Sequence, residues 1–367
     1  MIEISSLPEP SILAERWEYL AARSPHSFFL SWPWISTWLH CVQPSIKPML
    51  LTVSSNGELL ATAMIVKRTI WRHLIPVKTW VLNATGDHRF DNICTEHNGL
   101  LASANHEESA WEEVLNHFSM HEKNWDEFHL DGVPPWLADA WAKRGLPLRP
   151  SRQDVGRFLD LDDVRATTNC SCIGLFAPRL RTRLRHTIAA VERRFGKVAV
   201  SEAADLDEAR SFFSELKALH IKRWGDRPNG HAFDRPFFER FHHELIARCF
   251  ADGLIQLARV KAGSVTLGLL YNFVYQGRVS FYQSGINYAA ADRGDSLGLL
   301  VHALLIDRNA HQGRAIYDML AGDAQYKRAL ASLTTPLWWG ALQEKQLKLR
   351  AEKLIRCGYY ALRRRVR

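Results

Sequence analysis

The stretch from Arg278 to Lys327 constrains the fold of this chain more than any other. Val279 to Ile286 mixes β-branched, aromatic and polar residues without helical periodicity, which predicts a strand. Arg293, Gly294, Ser296 and Gly298 make a polar turn that opens directly into an apolar helix over 297–312. Gly313 suits the left-handed position that ends such a helix. Arg314 to Leu320 predicts a second strand, followed by a Gly-Asp turn and a short helix carrying Tyr326 and Lys327. The order strand, glycine turn, helix, strand fits either a plain βαβ crossover or a phosphate cradle. In the cradle, the first amides of the helix lack intrahelical partners and carry partial positive charge, and small residues let an anion approach them.

A chain of 367 residues is long for one core, so two domains are expected. No apolar run is long enough to cross a bilayer, and the first residues have neither a basic nor an apolar leader region. A cytoplasmic location, at most at the inner face of a membrane, is the expectation. Six cysteines occur without a C-x-x-C or a histidine at zinc-ligand spacing, which predicts free thiols and no metal. The net charge of +8 is concentrated at one end: residues 341–367 hold nine Lys/Arg and two Asp/Glu. The remainder has 38 basic against 37 acidic residues, which argues against nucleic-acid binding by the body.

Residues 8–24 and 31–42 predict helices, the second N-capped by Ser31, with Trp34 and Trp38 one turn apart on it. That spacing suits a core face or a sugar platform. Asn56-Gly57 between two β-rich runs predicts a hairpin. Further strands are expected at 77–82, 126–130 and 157–161, around a helix at 107–123. The polar loop 86–92 reads as a turn or a ligand-facing segment. The short polar stretch 167–174 marks the domain boundary, giving domains 1–166 and 175–340 and a tail 341–367. A basic helix then begins at Pro178, with Arg179, Arg183 and His186 along one face and Leu180, Leu184, Ile188 and Val191 nearer another. Helices at 206–224 and 236–252 and strands at 254–261 and 265–275 lead into the opening stretch, and a last strand falls at 335–340. Two helices, a meander and a helix crossing to another strand therefore occur twice, which suggests a duplicated α+β unit.

The blocks L-H-I-K-R-W (219–224), Y-Q-S-G-I-N (282–287), S-L-G-L-L (296–300) and Y-D-M-L-A-G-D-A-Q-Y-K (317–327) belong together. With F-F-L-S-W-P-W-I-S-T-W-L (28–39), they resemble the GNAT-superfamily acetyltransferases of the cellulose-biosynthesis-associated CelD/BcsL type, distant relatives of the Fem-type aminoacyl transferases. The resemblance implies tandem GNAT-like (Fem-type) α+β domains. Each would be a mixed, mainly antiparallel sheet flanked by helices, and the C-terminal one would bind acetyl-CoA or another acyl-CoA. It implies that the strand Phe281–Ile286 splays from its neighbour and holds the thioester through Gln283, Ser284 and Gly285. Arg293, Gly294, Ser296 and Gly298 would form the pyrophosphate loop, in which Ser296 replaces the first glycine of the superfamily pattern.

Acyl transfer to an amine or hydroxyl needs a base, donors for the developing oxyanion and a proton for the leaving thiolate. His220, Asp318 and Tyr326 are the candidates: His220 as base, Asp318 orienting it or binding acceptor, and Tyr326 as acid. Asp318 reads equally as an ion pair with Arg223 or Lys327. Arg223, Trp224, Asp323 and Lys327 are the candidate acceptor contacts. His302 and Asp307 form an H-x4-D but should point to different helix faces, and no G-x-S-x-G supports an acyl-enzyme.

In the tail, Leu347, Ala351, Leu354, Ile355, Leu362 and Val366 mark one helical face with Lys348, Lys353, Arg356, Arg363 and Arg367 around it. Such a basic amphipathic helix suits an anionic membrane surface, a membrane synthase or a solubilising end. The function expected is acetyl transfer to a sugar, amino sugar or lipid-linked polysaccharide precursor. Its rivals are an aminoacyl-tRNA-dependent transferase and a non-catalytic scaffold of an exopolysaccharide complex.

Overall fold

The computed structural model describes residues 1–227 and 230–365, with side chains described through Arg356. Two compact units form, one of residues 1–153 with 337–367 and the other of residues 154–336. The boundary thus falls inside a strand rather than at 167–174, and the tail joins the first unit. Among the described residues, no helix is long and apolar enough to cross a membrane.

The first half of the chain runs β1 (Ile2–Ser6), α1 (Pro10–Ala21), α2 (Trp32–Cys41), β2 (Pro48–Ser55), β3 (Glu58–Arg72), β4 (Ile75–Leu82) and the short β5 (Leu101–Ala102). It continues through α3 (Glu107–Asn116), β6 (Glu127–Val133), α4 (Trp136–Lys143) and β7 (Leu148–Asp160). Two helices, α5 (Leu161–Arg165) and α6 (Pro178–Phe195), precede the second half. That half runs β8 (Val198–Glu202), α7 (Leu206–Trp224), α8 (Pro236–Cys249), β9 (Ile255–Ala262), β10 (Val265–Tyr275) and β11 (Arg278–Ile286). It ends with α9 (Leu297–His311), β12 (Ile316–Ala321), α10 (Gln325–Leu330), β13 (Leu333–Gln343) and α11 (Leu347–Arg365). Apart from β5, the two halves have one element order. Each opens with a strand, β1 or β8, that has no strong sequence signal because it is short and half exposed.

The first unit's sheet has the order β1-β2-β3-β4-β6-β13, and the second unit's is β7-β12-β11-β10-β9-β8. Most neighbours are antiparallel. The exceptions are one parallel pair in each unit, β4 with β6 and β11 with β12. The last strand of each half therefore completes the sheet of the other unit, with β7 laddered to β12 and β13 to β6. Such an exchange leaves no trace in local pattern, which is why the boundaries differ from those expected.

Local chemistry explains the elements. Asn56 and Gly57 both take positive φ, as a two-residue turn matched to strand twist requires, and Gln276-Gly277 does the same between β10 and β11. Ser31 caps α2 by accepting from the Trp34 amide, and Asp205 caps α7 by accepting from Glu208 at 2.8 Å. Trp34 and Trp38 are core residues, with no face left for a sugar. The loop 86–92 is closed on itself: Asp87 binds Arg89 and Arg68, and Asp91 accepts from Thr85. On α6, Leu184, Thr187 and Val191 are buried while Arg179, Arg183 and His186 face solvent. The second unit's core packs α9, through Leu300, Val301 and Ile306, on Leu270, Val279 and Tyr317 of the sheet.

Candidate active site

The ladder between the parallel strands β11 and β12 stops early. It runs from Arg278/Ile316 to Ser280/Asp318, whereas β11 stays paired with β10 as far as Ile286. Phe281–Ile286 thus has an edge that β12 leaves unpaired, and an unpaired strand edge offers amides and carbonyls to a ligand backbone. A register shift at Tyr271/Asn272 leaves Tyr282 as the extra residue of a bulge, which re-aims the strand where the split begins. Gly285 lies under α7, and a Cβ there would sit 2.5 Å from the Leu216 carbonyl oxygen. Only glycine lets the helix lie this close.

That close approach delivers His220. Its Nδ1 is 3.3 Å from the Ser284 carbonyl oxygen, beside the split. A carbonyl only accepts, so Nδ1 carries the proton and Nε2 holds the lone pair. Nε2 is buried and, among the described residues, meets no partner at hydrogen-bond geometry, with the Gln283 side chain also acting on the ring. Desolvation lowers the imidazole pKa below its ordinary 6.5, against the opposing bond to Ser284. The ring is therefore neutral at pH 7, with a buried basic nitrogen. Gln283 folds back so that its Oε1 accepts from the Ser284 amide at 3.0 Å.

Asp318 does not reach His220. It pairs with Ser280, four residues from Ser284, which is about 13 Å along a strand. Its buried carboxylate accepts from Arg278 and from the Leu320 amide, both at 2.8 Å. Arg278 is thus one cation at Asp318, and the carboxylate braces the closed root of the split. Lys327 donates to the carbonyls of Leu320 (3.2 Å) and Ala321 (2.5 Å), and Asp323 pairs with Arg157 and Arg328. Both expected acceptor contacts bond within the protein. Arg223 lies over the rings of Trp224 and Tyr288, at 5.0 and 4.9 Å, at the end of α7.

Tyr326 stacks on His302 at 5.6 Å, and His302 meets the edge of Phe281 at 4.4 Å. The tyrosine therefore sits within two ring contacts of the split strand. Burial, with Tyr288 adding to it, pushes its pKa up to about 12. Burial and the Lys327 charge push that of His302 down to about 3. Asp307, on another face of α9, accepts from Ser171 and the Cys172 amide, so the H-x4-D residues are apart as expected.

The loop into α9 leaves the helix start without a side-chain cap, with the Ser296 amide engaged elsewhere. Gly294 has φ +99°, and the Ser296 amide donates to Thr187 Oγ1 at 3.2 Å. Arg194 pairs with both Asp292 and Asp295, neutralising two carboxylates beside the helix start. Ser296 does not cap α9 with its side chain, and no acidic residue occupies the first turn. The amides of Leu297, Gly298 and Leu299 have no intrahelical acceptor. A Cβ on Gly298 would meet nothing closer than Tyr288 Oη at 3.7 Å. The corresponding helix of the first unit, α3, begins with Glu107 and Glu108, two carboxylates in the turn where the helix dipole favours negative charge.

Two groups of side chains were missed. His231 and Asp234 cap each other's turn and pair at 2.8 Å, with the His231 ring 5.5 Å from His220. The H-x-x-D spacing was available as a signal. His242 lies between the hydroxyls of Tyr271 (3.2 Å) and Tyr282 (3.1 Å), an association across three elements that no local pattern announces.

Residues 178–328 match the family model for an acetyltransferase (GNAT) domain. No curated protein sequence matches the chain. Among solved structures, the crystal structure of FemX is similar at 10% identity, covering 96% of this chain and 99% of that one with a TM-score of 0.56. The structure of L-PGS from Bacillus licheniformis follows the chain at 12% identity over 96% and 98%, TM-score 0.51. The C-terminal domain (DUF2156) of a putative lysylphosphatidylglycerol synthetase from Agrobacterium fabrum does so at 12% identity over 93% of each, TM-score 0.51. The split parallel pair and the open helix start fall inside the matched span. Residues 178–328 thus have the GNAT acetyltransferase fold, set in a chain whose whole length follows a Fem-like, mainly antiparallel α+β build.

Proposed function

We propose that this chain is an acyltransferase that takes its acyl group from acetyl-CoA or another acyl-CoA and passes it directly to an amine or hydroxyl. The proposed acceptor is a sugar, amino sugar or lipid-linked polysaccharide precursor, as the likeness to the CelD/BcsL type suggests. The observation that carries this reading is the placement of His220: a neutral imidazole tied through Nδ1 to the Ser284 carbonyl, its Nε2 without a partner among the described residues, beside the strand edge that β12 leaves open.

The donor supplies an activated thioester, and the chain's own groups do the rest. The amides of Leu297, Gly298 and Leu299, with Arg293 exposed at the turn, suit a pyrophosphate. The free edge of Phe281–Ile286 suits the extended pantetheine arm and the thioester oxygen. His220 Nε2 takes the proton from the acceptor as its nitrogen or oxygen bonds the acyl carbon. The carbon–sulfur bond breaks, and Tyr326, protonated at neutral pH, gives its proton to the thiolate.

Titration calorimetry with acetyl-CoA, beside a mass-spectrometric screen of amino sugars, tests the reading. Micromolar binding that Gly298→Glu abolishes and His220→Gln leaves intact is the expected result. Absence of binding at millimolar donor removes the proposal. An RNase-sensitive activity would move the donor to an aminoacyl-tRNA, and pathway output unchanged by His220→Gln would make the chain a scaffold.

A further inference from the structure

The C-terminal helix is docked the wrong way round for a helix that merely completes a core. Its sequence offers an apolar stripe of Leu347, Ala351, Leu354 and Ile355, and a surface helix ordinarily turns such a stripe inward. Here α11 is held by its other face. Lys348 pairs with Asp126 at 2.5 Å, Leu349 and Glu352 are buried, and Arg356 pairs with Glu352 at 3.6 Å. The stripe points out, with Leu347 81% and Leu354 75% exposed. Lys345, Arg350 and Lys353 flank it in solvent. The more distal stripe positions, Leu362 and Val366, with Gly358, Arg363 and Arg367, lie outside the described side chains.

A second apolar feature adjoins this helix. The β3–β4 hairpin ends in Trp71-Arg72-His73-Leu74, with Trp71 69% and Leu74 91% exposed. Lys348 Nζ donates to the Pro76 carbonyl at 3.4 Å, and Pro76 is the cross-strand partner of Trp71. The first turn of α11 therefore lies against the hairpin close to its tip. Bulky aliphatic and aromatic side chains with no cover, on a rim of lysine and arginine, are costly in water. Both terms are favourable where an apolar layer lies beneath an anionic surface. A nucleic acid would satisfy the cations and leave the leucines exposed. A second copy of the chain would bring the same cations face to face.

We propose that the α11 stripe and the β3–β4 tip together form a membrane-surface anchor for anionic phospholipid. The helix lies in the headgroup plane and the hairpin tip enters end-on. The inference does not depend on the acyltransferase reading, since none of its residues belongs to the split-strand site.

Flotation of the full chain with vesicles of phosphatidylcholine plus phosphatidylglycerol, against phosphatidylcholine alone, is the test. Binding is expected only to the anionic vesicles, weakening as salt rises. Leu354→Asp and Leu74→Asp each replace an exposed side chain, so folding should be unaffected, and each should lower vesicle binding at least tenfold. Circular dichroism checks the fold. Failure to bind anionic vesicles, or binding by both substituted proteins as strong as by the native one, overturns the proposal. It also falls if Leu354→Asp leaves vesicle binding intact and instead dissociates a dimer seen by sedimentation, or if RNA competes with vesicles and binds both substituted proteins as well as the native one.

Discussion

Replacing Gly285 by alanine tests whether α7 sets the position of His220. The new Cβ would lie 2.5 Å from the Leu216 carbonyl oxygen, 2.9 Å from its Cα and 3.0 Å from Leu219 Cβ. Two of these neighbours are main chain and cannot swing aside. Restoring an ordinary contact of 3.4 Å requires α7 to retreat by about 0.9 Å. His220 follows Leu219 on the same helix, so it retreats too. Its 3.3 Å contact with the Ser284 carbonyl then lengthens to roughly 4 Å, beyond hydrogen-bond reach. The bond that fixes the tautomer is lost, and the basic nitrogen is misplaced. Overpacking should cost about 1–3 kcal/mol in stability. A displacement near 1 Å should lower kcat by about 10²-fold. The donor Kd should hold, because its amides belong to α9.

Thiol release in the presence of the screened acceptor gives kcat, calorimetry gives the donor Kd, and a thermal melt gives stability. Gly313→Ala is the matched control. It has φ +75° with open space around it, so it should cost about 1–2 kcal/mol through backbone strain alone and leave kcat unchanged. A lowered melting point for Gly285→Ala with native kcat would refute the reasoning, since the strain would then relax without moving the base. Equal losses in kcat and donor affinity would refute it as well.

Because desolvation lowers the pKa of His220, the acid limb of kcat/KM should fall below pH 6.5. His220→Gln should remove that limb and about 10²–10⁴-fold of the rate, read from a pH–rate series. Arg194→Ala frees the carboxylates of Asp292 and Asp295 beside the start of α9, so donor affinity should weaken by about fivefold in calorimetry, on the order of 1 kcal/mol. In the first unit, Glu127 is fully buried and is bonded by Arg72, Arg149 and His129. Burial works to raise its pKa, but the bonds from Arg72 and His129 hold it well below the usual range. Its stabilisation should therefore be present above about pH 4.3 and be lost as pH falls further. Glu127→Gln should cost about 2–3 kcal/mol in a urea melt at neutral pH, by leaving two half-buried guanidinium groups without their carboxylate.

The helices α7 and α9 and the strand β10 were legible to within a residue because each carries a periodic pattern bounded by a cap or a glycine. The duplication was legible as element order. The exchange of β7 and β13 was not, since a strand's partner is chosen by tertiary pairing and its own residues look the same in either sheet. At the site, the block around His220 pointed to a histidine that the fold sets beside Ser284, while Asp318 comes to Arg278 rather than to that ring. Burial between strand hydrophobes signals that a carboxylate has a partner without saying which one. Arg278 was forty residues away and came alongside only through parallel pairing. The His231–Asp234 pair needed no tertiary information, and a capping-box search would have placed it.

The same element order produces two chemically different helix starts, and first-turn composition accounts for the difference. α3 opens on Glu107 and Glu108, whose charges disfavour a second anion in that turn. α9 opens on Leu297 and Gly298, with no side-chain cap and no acidic residue in its first turn. An unanswered helix end is tolerable at a surface but gains nothing there, and Ala or Ser at position 298 would be a better helix former than glycine. The arrangement makes physical sense when something negative visits that end. On the proposed reading, its position one loop beyond the strand that β12 abandons would bring that visitor to the edge beside His220. Fold alone does not separate the two halves. The pair of glutamates in one and the glycine in the other do.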